Sequence, residues 1–292
     1  MKVGIKVKFW GVRGSIPTPG VNYIKYGGNT PCVEIRLSNN QLFIFDAGTG
    51  IRELGNVLCK KNERLKVHIF LSHFHWDHIQ GLPFFLPSYM KGNEIIIHGM
   101  NMQETRLDNI ISNQMESIYF PVKLQSLAAD IQFQLLSDGS NVIADAKVDS
   151  LYINHPGQAM GYVINFGKIK IGYFTDNELV PSGVDGTSRL KYKPDVREKI
   201  LRLIYGADLL IHDAQYTDEE YKAKVGWGHS SLGETLQLAK DCCVKRLALF
   251  HHDPDHFDDQ IDILVANCKE RLNEYPYSLE CFAAHEGMEL HF

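Results

Sequence analysis

Short apolar runs that end on a single polar residue recur along this chain and organise it. Val67-His68-Ile69-Phe70-Leu71 is one such run, with the composition of a buried strand. Comparable runs cover residues 5–9, 32–37, 41–46 and 94–98, then 141–153, 161–166, 170–174, 209–212 and 246–250. Ile51, Leu54 and Leu58 recur at helical spacing and predict a helix over about 50–60. Further helices are expected over 104–116, 195–205 and 231–242. Gly and Pro punctuate the early gaps, as in Gly14-Ser15-Ile16-Pro17-Thr18-Pro19-Gly20 and Gly27-Gly28-Asn29. Each half therefore runs strands first, then strand–helix units. Two such halves pack most simply as two sheets face to face with helices outside. With no linker and no short-period repeat, the expectation is one α+β domain over residues 1–292. It is a four-layer αββα sandwich of two similar halves, with two mixed β-sheets.

The polar residues at the strand ends carry the chemistry. Ser72-His73-Phe74-His75-Trp76-Asp77-His78 puts four metal-capable side chains into six residues, directly after a buried strand. In extended backbone His73 and His75 share a side, and the chain then turns so that Asp77 and His78 can face a second point. His155, Asp176 and His251 follow three further apolar runs, and Asp46 follows a fourth. Strand-end loops are where a rigid scaffold presents functional groups. Two divalent ions about 3.5–4 Å apart need a shared carboxylate and several imidazoles. Asp176 suits the shared role; His73, His75 and His155 could complete one ion, and Asp77, His78 and His251 the other. Imidazole and carboxylate together suit two divalent ions, zinc first, with manganese or iron(II) as alternatives. His251 and His252 face opposite ways on a strand, and the alternation Leu247, Leu249, His251 favours His251. Asp46 reads as a buried structural carboxylate that holds the metal loop. His68 and His98 read as satisfied sheet residues, His256 as part of an acidic surface stretch, and His285 and His291 as lying outside the site.

Composition narrows the class. The 292 residues are 44% hydrophobic and 22% charged, enough for a large core. A net charge of −5 argues against a stable duplex nucleic-acid partner, which would need a basic footprint. The densest basic stretch, Arg189-Leu190-Lys191-Tyr192-Lys193, reads as a solvated loop. Met1-Lys2-Val3-Gly4-Ile5-Lys6 lacks a signal-peptide core, and no run approaches a membrane span, so no membrane partner is expected. The six cysteines form no C-x-x-C pair, which predicts free thiols and a cytoplasmic setting.

The order Asp46, His73-x-His75-x-Asp77-His78, His155, Asp176, His251 resembles the metallo-β-lactamase-fold hydrolases, from about residue 5 to about 290. The second half is similar to the phosphodiesterase branch, which includes ribonuclease Z and phosphoribosyl cyclic phosphate phosphodiesterase. Asn154-His155-Pro156-Gly157 with Gly161-Tyr162-Val163-Ile164 is similar to the third-ligand segment there. His212-Asp213-Ala214-Gln215-Tyr216 with Gly228-His229-Ser230-Ser231 is similar to a ribonuclease Z pair in which the acidic residue orients a His that protonates the leaving oxygen. The resemblance thus implies catalytic roles for His229 and Asp213, with Asp here in place of Glu. Ribonuclease Z usually carries a long arm between the ligands matching His155 and Asp176. Here twenty residues separate them. The short connection points to a small phosphodiester substrate rather than transfer RNA. The opening Gly11-Val12-Arg13-Gly14-Ser15-Ile16-Pro17 with Tyr26-Gly27-Gly28-Asn29-Thr30 looks like a subgroup described as metal-dependent hydrolases or cyclic-nucleotide phosphodiesterases, a motif that does not fix the substrate.

The expected activity is hydrolysis of small, cyclic or linear, nucleotide phosphodiesters by attack of a metal-bridging hydroxide. The general acid would be His229, steered by Asp213. Backbone N–H groups near Gly14 and Gly28 could also meet phosphate, although such glycines commonly make plain turns. A lactonase or thioesterase on the same metals, or a single-strand nuclease, are the alternatives. The lactonase and thioesterase readings leave the Asp213/His229 pair without a task. A di-iron redox protein would carry Glu where His75 stands, and a non-catalytic scaffold would lack ligands. A homodimer is compatible with the sequence.

Overall fold

The computed structural model describes residues 4–61, 63–179, 195–273, 275 and 277–292. The basic stretch 189–193 and the first three residues lie outside them. Fourteen strands form among these residues: β1 Ile5–Gly11, β2 Cys32–Leu37, β3 Leu42–Phe45, β4 Lys66–Phe70, β5 Glu94–Gly99, β6 Asp130–Leu135, β7 Gly139–Ile143, β8 Ala146–Ile153, β9 Ala159–Phe166, β10 Ile169–Phe174, β11 Leu209–Asp213, β12 Arg246–Phe250, β13 Glu280–Ala283 and β14 Glu289–His291. The helices are α1 Gly50–Cys59, α2 Trp76–Ile79, α3 Leu107–Gln114, α4 Val196–Ile204, α5 Asp218–Lys224, α6 Leu232–Asp241 and α7 Asp258–Leu272.

Two seven-stranded sheets result, ordered β14-β1-β2-β3-β4-β5-β6 and β13-β12-β11-β10-β9-β8-β7. Each is mixed in the same way. The pairs from β14 to β3 are antiparallel and those from β3 to β6 parallel. The pairs from β7 to β10 are antiparallel and those from β10 to β13 parallel. Strand alternation divides the core into three main clusters, with a small fourth of Tyr26, Ile261 and Ala283. Phe9, Phe43, Phe45 and Phe70 meet Tyr162, Tyr173 and Phe250 between the sheets. Ile44, Ile69 and Ile97 pack outward under Ile51 and Leu54 of α1 and Ile111 of α3. Val163, Leu210 and Leu247 pack outward under Ile200, Leu236 and Leu264 of α4, α6 and α7. The layers are therefore helix, sheet, sheet, helix, an α+β sandwich as the hydrophobic pattern predicts. No helix among the described residues is long and apolar enough to cross a membrane.

Several local expectations change. The run 141–153 is not one strand but the hairpin β7–β8, broken at Ala144-Asp145, which both take positive φ (47° and 67°). Such a turn is usually announced by Asn-Gly, and here it is not. Helix α3 starts at Leu107 rather than at residue 104, because Met102 and Thr105 pair with each other first. The acidic stretch before residue 259 opens α7, and His256 is buried there, bonded to Glu220 at 2.9 Å. The expectation of free thiols fails for one pair: Cys268 of α7 and Cys281 of β13 form a disulfide, because α7 packs on β13 with both residues turned inward. Cys32, Cys59, Cys242 and Cys243 are free.

Candidate active site

The parallel strands of both sheets end at the same edge of the sandwich, and the polar residues that follow them converge there. Asp46 follows β3, Ser72 and His73 follow β4, Asp176 follows β10 and His251 follows β12. Asp46, Asp176 and His251 all adopt left-handed backbone, with φ of 60°, 48° and 58°. That conformation is unfavourable for residues with a side chain and clusters at functional sites. It bends the chain off the strand and turns each side chain towards the common centre. Helix α2 then carries Asp77 and His78 back over the same point.

Two sets of four residues form. His73, His75, His155 and Asp176 each place a ligand atom within 4.8 Å of the others, and so do Asp77, His78, Asp176 and His251. Asp176, buried to 2% exposure, belongs to both. Its Oδ2 lies 3.6 Å from His73 Nε2 and 3.8 Å from His155 Nε2, and its Oδ1 lies 3.2 Å from both His78 Nε2 and His251 Nε2. Each oxygen thus addresses one set, the arrangement a bridging carboxylate needs.

The surroundings fix which imidazole nitrogen faces inward. His78 donates from Nδ1 to Asp46 Oδ2 at 2.8 Å, His251 from Nδ1 to Gln215 Oε1 at 3.0 Å, and His155 from Nδ1 to Gly228 O at 3.0 Å. These partners accept, so each ring keeps an Nε2 lone pair turned into the site. His78 Nε2 and His251 Nε2 then stand 3.3 Å apart, and His73 Nε2 is buried without a partner. Lone pairs and carboxylate oxygens converging in this way need a cation between them, and the donor set fits divalent metal. Burial holds His73 well below its ordinary pKa and takes His155 down to about 4, so both are neutral and able to ligate. Burial disfavours charge on His78 as well, but Asp176, Asp77 and Asp46 outweigh it and raise its pKa, so with no cation between them His78 Nε2 carries a proton that a bound ion would displace.

An outer layer of residues supports the site. The buried Asp46 accepts Ser72 N at 2.7 Å, Ser72 Oγ at 2.8 Å and Tyr173 Oη at 2.7 Å besides His78. It lies outside both four-residue sets and ties the metal loop to the opposite sheet. Gln215 holds its orientation towards His251 because its Nε2 donates to Asp253 Oδ2 at 3.1 Å. Ser15 N donates to Asp77 Oδ2 at 2.8 Å. Gly14 N donates to His252 O at 2.8 Å, so it is not free to meet phosphate. A Cβ on Gly14 would stand 2.5 Å from the His251 ring, which explains a glycine there. His252 turns away and bonds Ala284 O at 2.8 Å. His68 and His98 bond each other at 2.9 Å, yet the second ring nitrogen of each is buried without a partner. His285 bonds Glu286 O outside the cluster.

His229 stands beside both sets. Its Nδ1 bonds Asp213 Oδ2 at 2.7 Å, and its ring lies 4.9 Å from that of His251 and 5.3 Å from that of His155. Burial opposes its charge, but Asp213 first and then Asp176 and Asp77 outweigh it and push the pKa up to about 9. Sequence reasoning missed Glu178, which positions this loop. Its buried carboxylate accepts Tyr221 Oη at 2.7 Å, Gly226 N at 2.8 Å and Gly228 N at 2.7 Å. Gly228 has φ of 91°, and a Cβ there would stand 2.2 Å from His155 Nδ1. Ser72 and Gln215 lie within the motif stretches and Glu178 lies two residues past Asp176, and that proximity is the signal the sequence offers. In front of the metal sets opens a cavity of about 270 Å³, walled by Asp77, Asp176, His229 and His251, with Ser15, the exposed His75 and Trp76 at its rim.

Fold and site together define a metal-dependent hydrolase. Residues 42–252 match the family described as "Beta-lactamase superfamily domain", and the chain belongs to that family. It is similar to ribonuclease Z of Thermoplasma acidophilum, with 25% identity covering 94% of each chain. It shares its fold with the metallo-beta-lactamase fold protein YhfI from Bacillus subtilis (TM-score 0.69, 16% identity, all of both chains). It shares it also with the short form of human tRNase Z (TM-score 0.62, 22% identity, 98% of both chains). The ribonuclease Z and tRNase Z relatives overturn the expectation of a small phosphodiester as partner, since their names are those of enzymes that cut RNA. The physical ground for that expectation is also weak. Phe166 does pair with Ile169, leaving no room for an arm between His155 and Asp176, but His75 at the cavity rim is exposed, so the short connection does not by itself limit substrate size.

Proposed function

We propose that this protein hydrolyses RNA phosphodiesters at a single-stranded segment, with two divalent ions, zinc or alternatively manganese or iron(II). The observation that carries the reading is the pair of four-residue sets joined through Asp176, with a charged His229 on the same cavity. The ribonuclease Z relatives support RNA as the strand that is cut. His73, His75 and His155 would hold one ion, Asp77, His78 and His251 the other, and Asp176 both. Bound there, the ions would polarise a phosphoryl oxygen and make a water molecule nucleophilic near neutral pH.

The chain's own residues do the rest. Asp213 takes Nδ1–H of His229, so Nε2–H is the proton that remains to be given. The alkoxide leaving from a ribose needs a proton, and His229 on the cavity wall is placed to deliver it to that oxygen. Asp213 also accepts Gln215 N at 2.9 Å, which fixes its carboxylate and so the imidazole plane.

The test is an assay of oligoribonucleotides with the ion-loaded protein, before and after chelation and reloading. Cleavage that disappears on chelation, returns with zinc or manganese and is absent in Asp176→Ala is expected. A protein that holds two ions, leaves every RNA intact and opens a lactone or thioester would refute the proposal.

A further inference from the structure

Trp76 is the rim residue that neither the fold nor the metal sets use. The three tryptophans differ sharply. Trp10 donates its Nε1 to Glu34 at 3.0 Å and packs against the outer core of the first sheet. Trp227 has Lys224 Nζ over its ring at 4.0 Å. Trp76 is 62% exposed, and its indole has no hydrogen bond, ring contact or cation partner among the described residues. It lines the same cavity as Asp77, Asp176 and His229.

Its backbone is nevertheless held firmly. Trp76 opens α2, where Trp76 O accepts Gln80 N at 2.8 Å and His75 O accepts His78 N at 3.0 Å. Asp77 and His78, on the next two positions, are buried at the metal sets. The indole is therefore a flat apolar surface on a held backbone, at the rim of the cavity and exposed to water. A large exposed aromatic side chain on a rigid support in a polar cleft is the form that base-stacking platforms take. Such stacking tolerates any base, since every base has a π-face.

We infer that Trp76 is a nucleobase subsite, stacking on the base of a nucleotide next to the scissile phosphate. The inference rests on the RNA reading of the site given above. The indole acts on binding, not on the chemical step: it anchors the strand so that the phosphate lies between Asp176 and His229. Alanine substitution at stacking platforms typically weakens binding about 5- to 150-fold.

The experiment compares wild type, Trp76→Ala and Trp76→Phe, each loaded with zinc and checked for metal content. Substrates are a single-stranded oligoribonucleotide and the same strand lacking the bases that flank the cut. Trp76→Ala should raise KM about 5- to 150-fold on the complete strand, Trp76→Phe should restore much of the loss, and the base-less strand should lose most of the effect. Equal KM values for wild type and Trp76→Ala would overturn the subsite. So would a change of sedimentation coefficient with KM unaltered, which would make the indole a protein-contact residue. Should the wild type cut no RNA, the RNA reading fails separately, and indole quenching by adenosine 5′-monophosphate decides the subsite. Quenching present in wild type and lost in Trp76→Phe supports it; equal quenching in both overturns it.

Discussion

Replacing His229 by alanine tests the proton-delivery step directly. The imidazole is bonded to Asp213 at 2.7 Å, and its pKa is pushed up to about 9. Asp213 thus favours the charged imidazole, the form able to give a proton. Its loss should lower kcat on RNA by roughly 10²–10⁴-fold, or about 3–5.5 kcal/mol of barrier. A p-nitrophenolate leaves with little help, so p-nitrophenyl diesters should slow far less. The sign of the pH effect follows from the same contact. The active form is protonated, so activity is present below the His229 pKa and lost as pH rises through it. Bound cations draw that pKa down, which puts the falling limb at or below about 9. Asp213→Asn removes the leading cause of the elevation and should shift the limb to lower pH while the imidazole remains. Pre-steady-state cleavage of RNA and of p-nitrophenyl diesters from pH 6 to 10, with metal content measured in parallel, reads all of this. Equal slowing of good and poor leaving groups, or a limb that Asp213→Asn leaves in place, would refute general-acid catalysis by His229.

Other sites give equally sharp outcomes. Asp176→Ala should lose both ions together by elemental analysis, because one oxygen faces each set; retention of one ion at full occupancy would exclude bridging. Asp46→Asn should weaken ion binding about 10- to 100-fold in chelator competition, since it unsettles the ring that Asp46 orients; unchanged affinity would deny it that role. Burial takes His68 down to about 4 and His98 to about 3, so below pH 6.5 the unfolded chain binds protons that the folded chain refuses. Stability present at neutral pH is thus lost on acidification, by about 2 kcal/mol per imidazole at pH 5. In urea unfolding of ion-stripped protein, His98→Leu should shrink the drop between pH 7 and pH 5 by about that amount, and an unchanged drop would contradict it.

The parts of this fold that could be read in the sequence are those whose pattern is local. An apolar run such as Val67–Leu71 declares a strand by itself, and Ile51, Leu54 and Leu58 declare a helix face. Elements whose partners lie far away in sequence could not be found that way. Strand β14 has three residues and pairs with β1, nearly the whole chain distant. Helix α7 begins in an acidic surface stretch and buries a thin stripe of Ile261, Leu264 and Cys268, so its apolar periodicity is faint. The disulfide follows the same logic: Cys268 and Cys281 meet because α7 packs on β13, and neither element was expected.

The site divides along the same line, and the division has a physical cause. A metal ligand must be His, Asp, Glu or Cys, and a turn after a strand concentrates such residues where a linear reading sees them. The groups that orient ligands carry no such restriction on residue type. Tautomers are set here by a serine, a glutamine and a backbone carbonyl as well as a carboxylate. Gly228 serves through its carbonyl oxygen and its lack of a side chain, and Glu178 through its grip on the amides of Gly226 and Gly228. Apart from Ser72 and its neighbour His73, these contacts join loops that meet only once the strands of their sheet are assembled. The candidate ligands are thus written in residue identity, whereas their orientation is written in packing. Glu178→Gln should therefore lower both ion content and kcat on RNA, through His155 and His229 respectively; elemental analysis and single-turnover cleavage read the two, and a loss of neither would deny Glu178 this role.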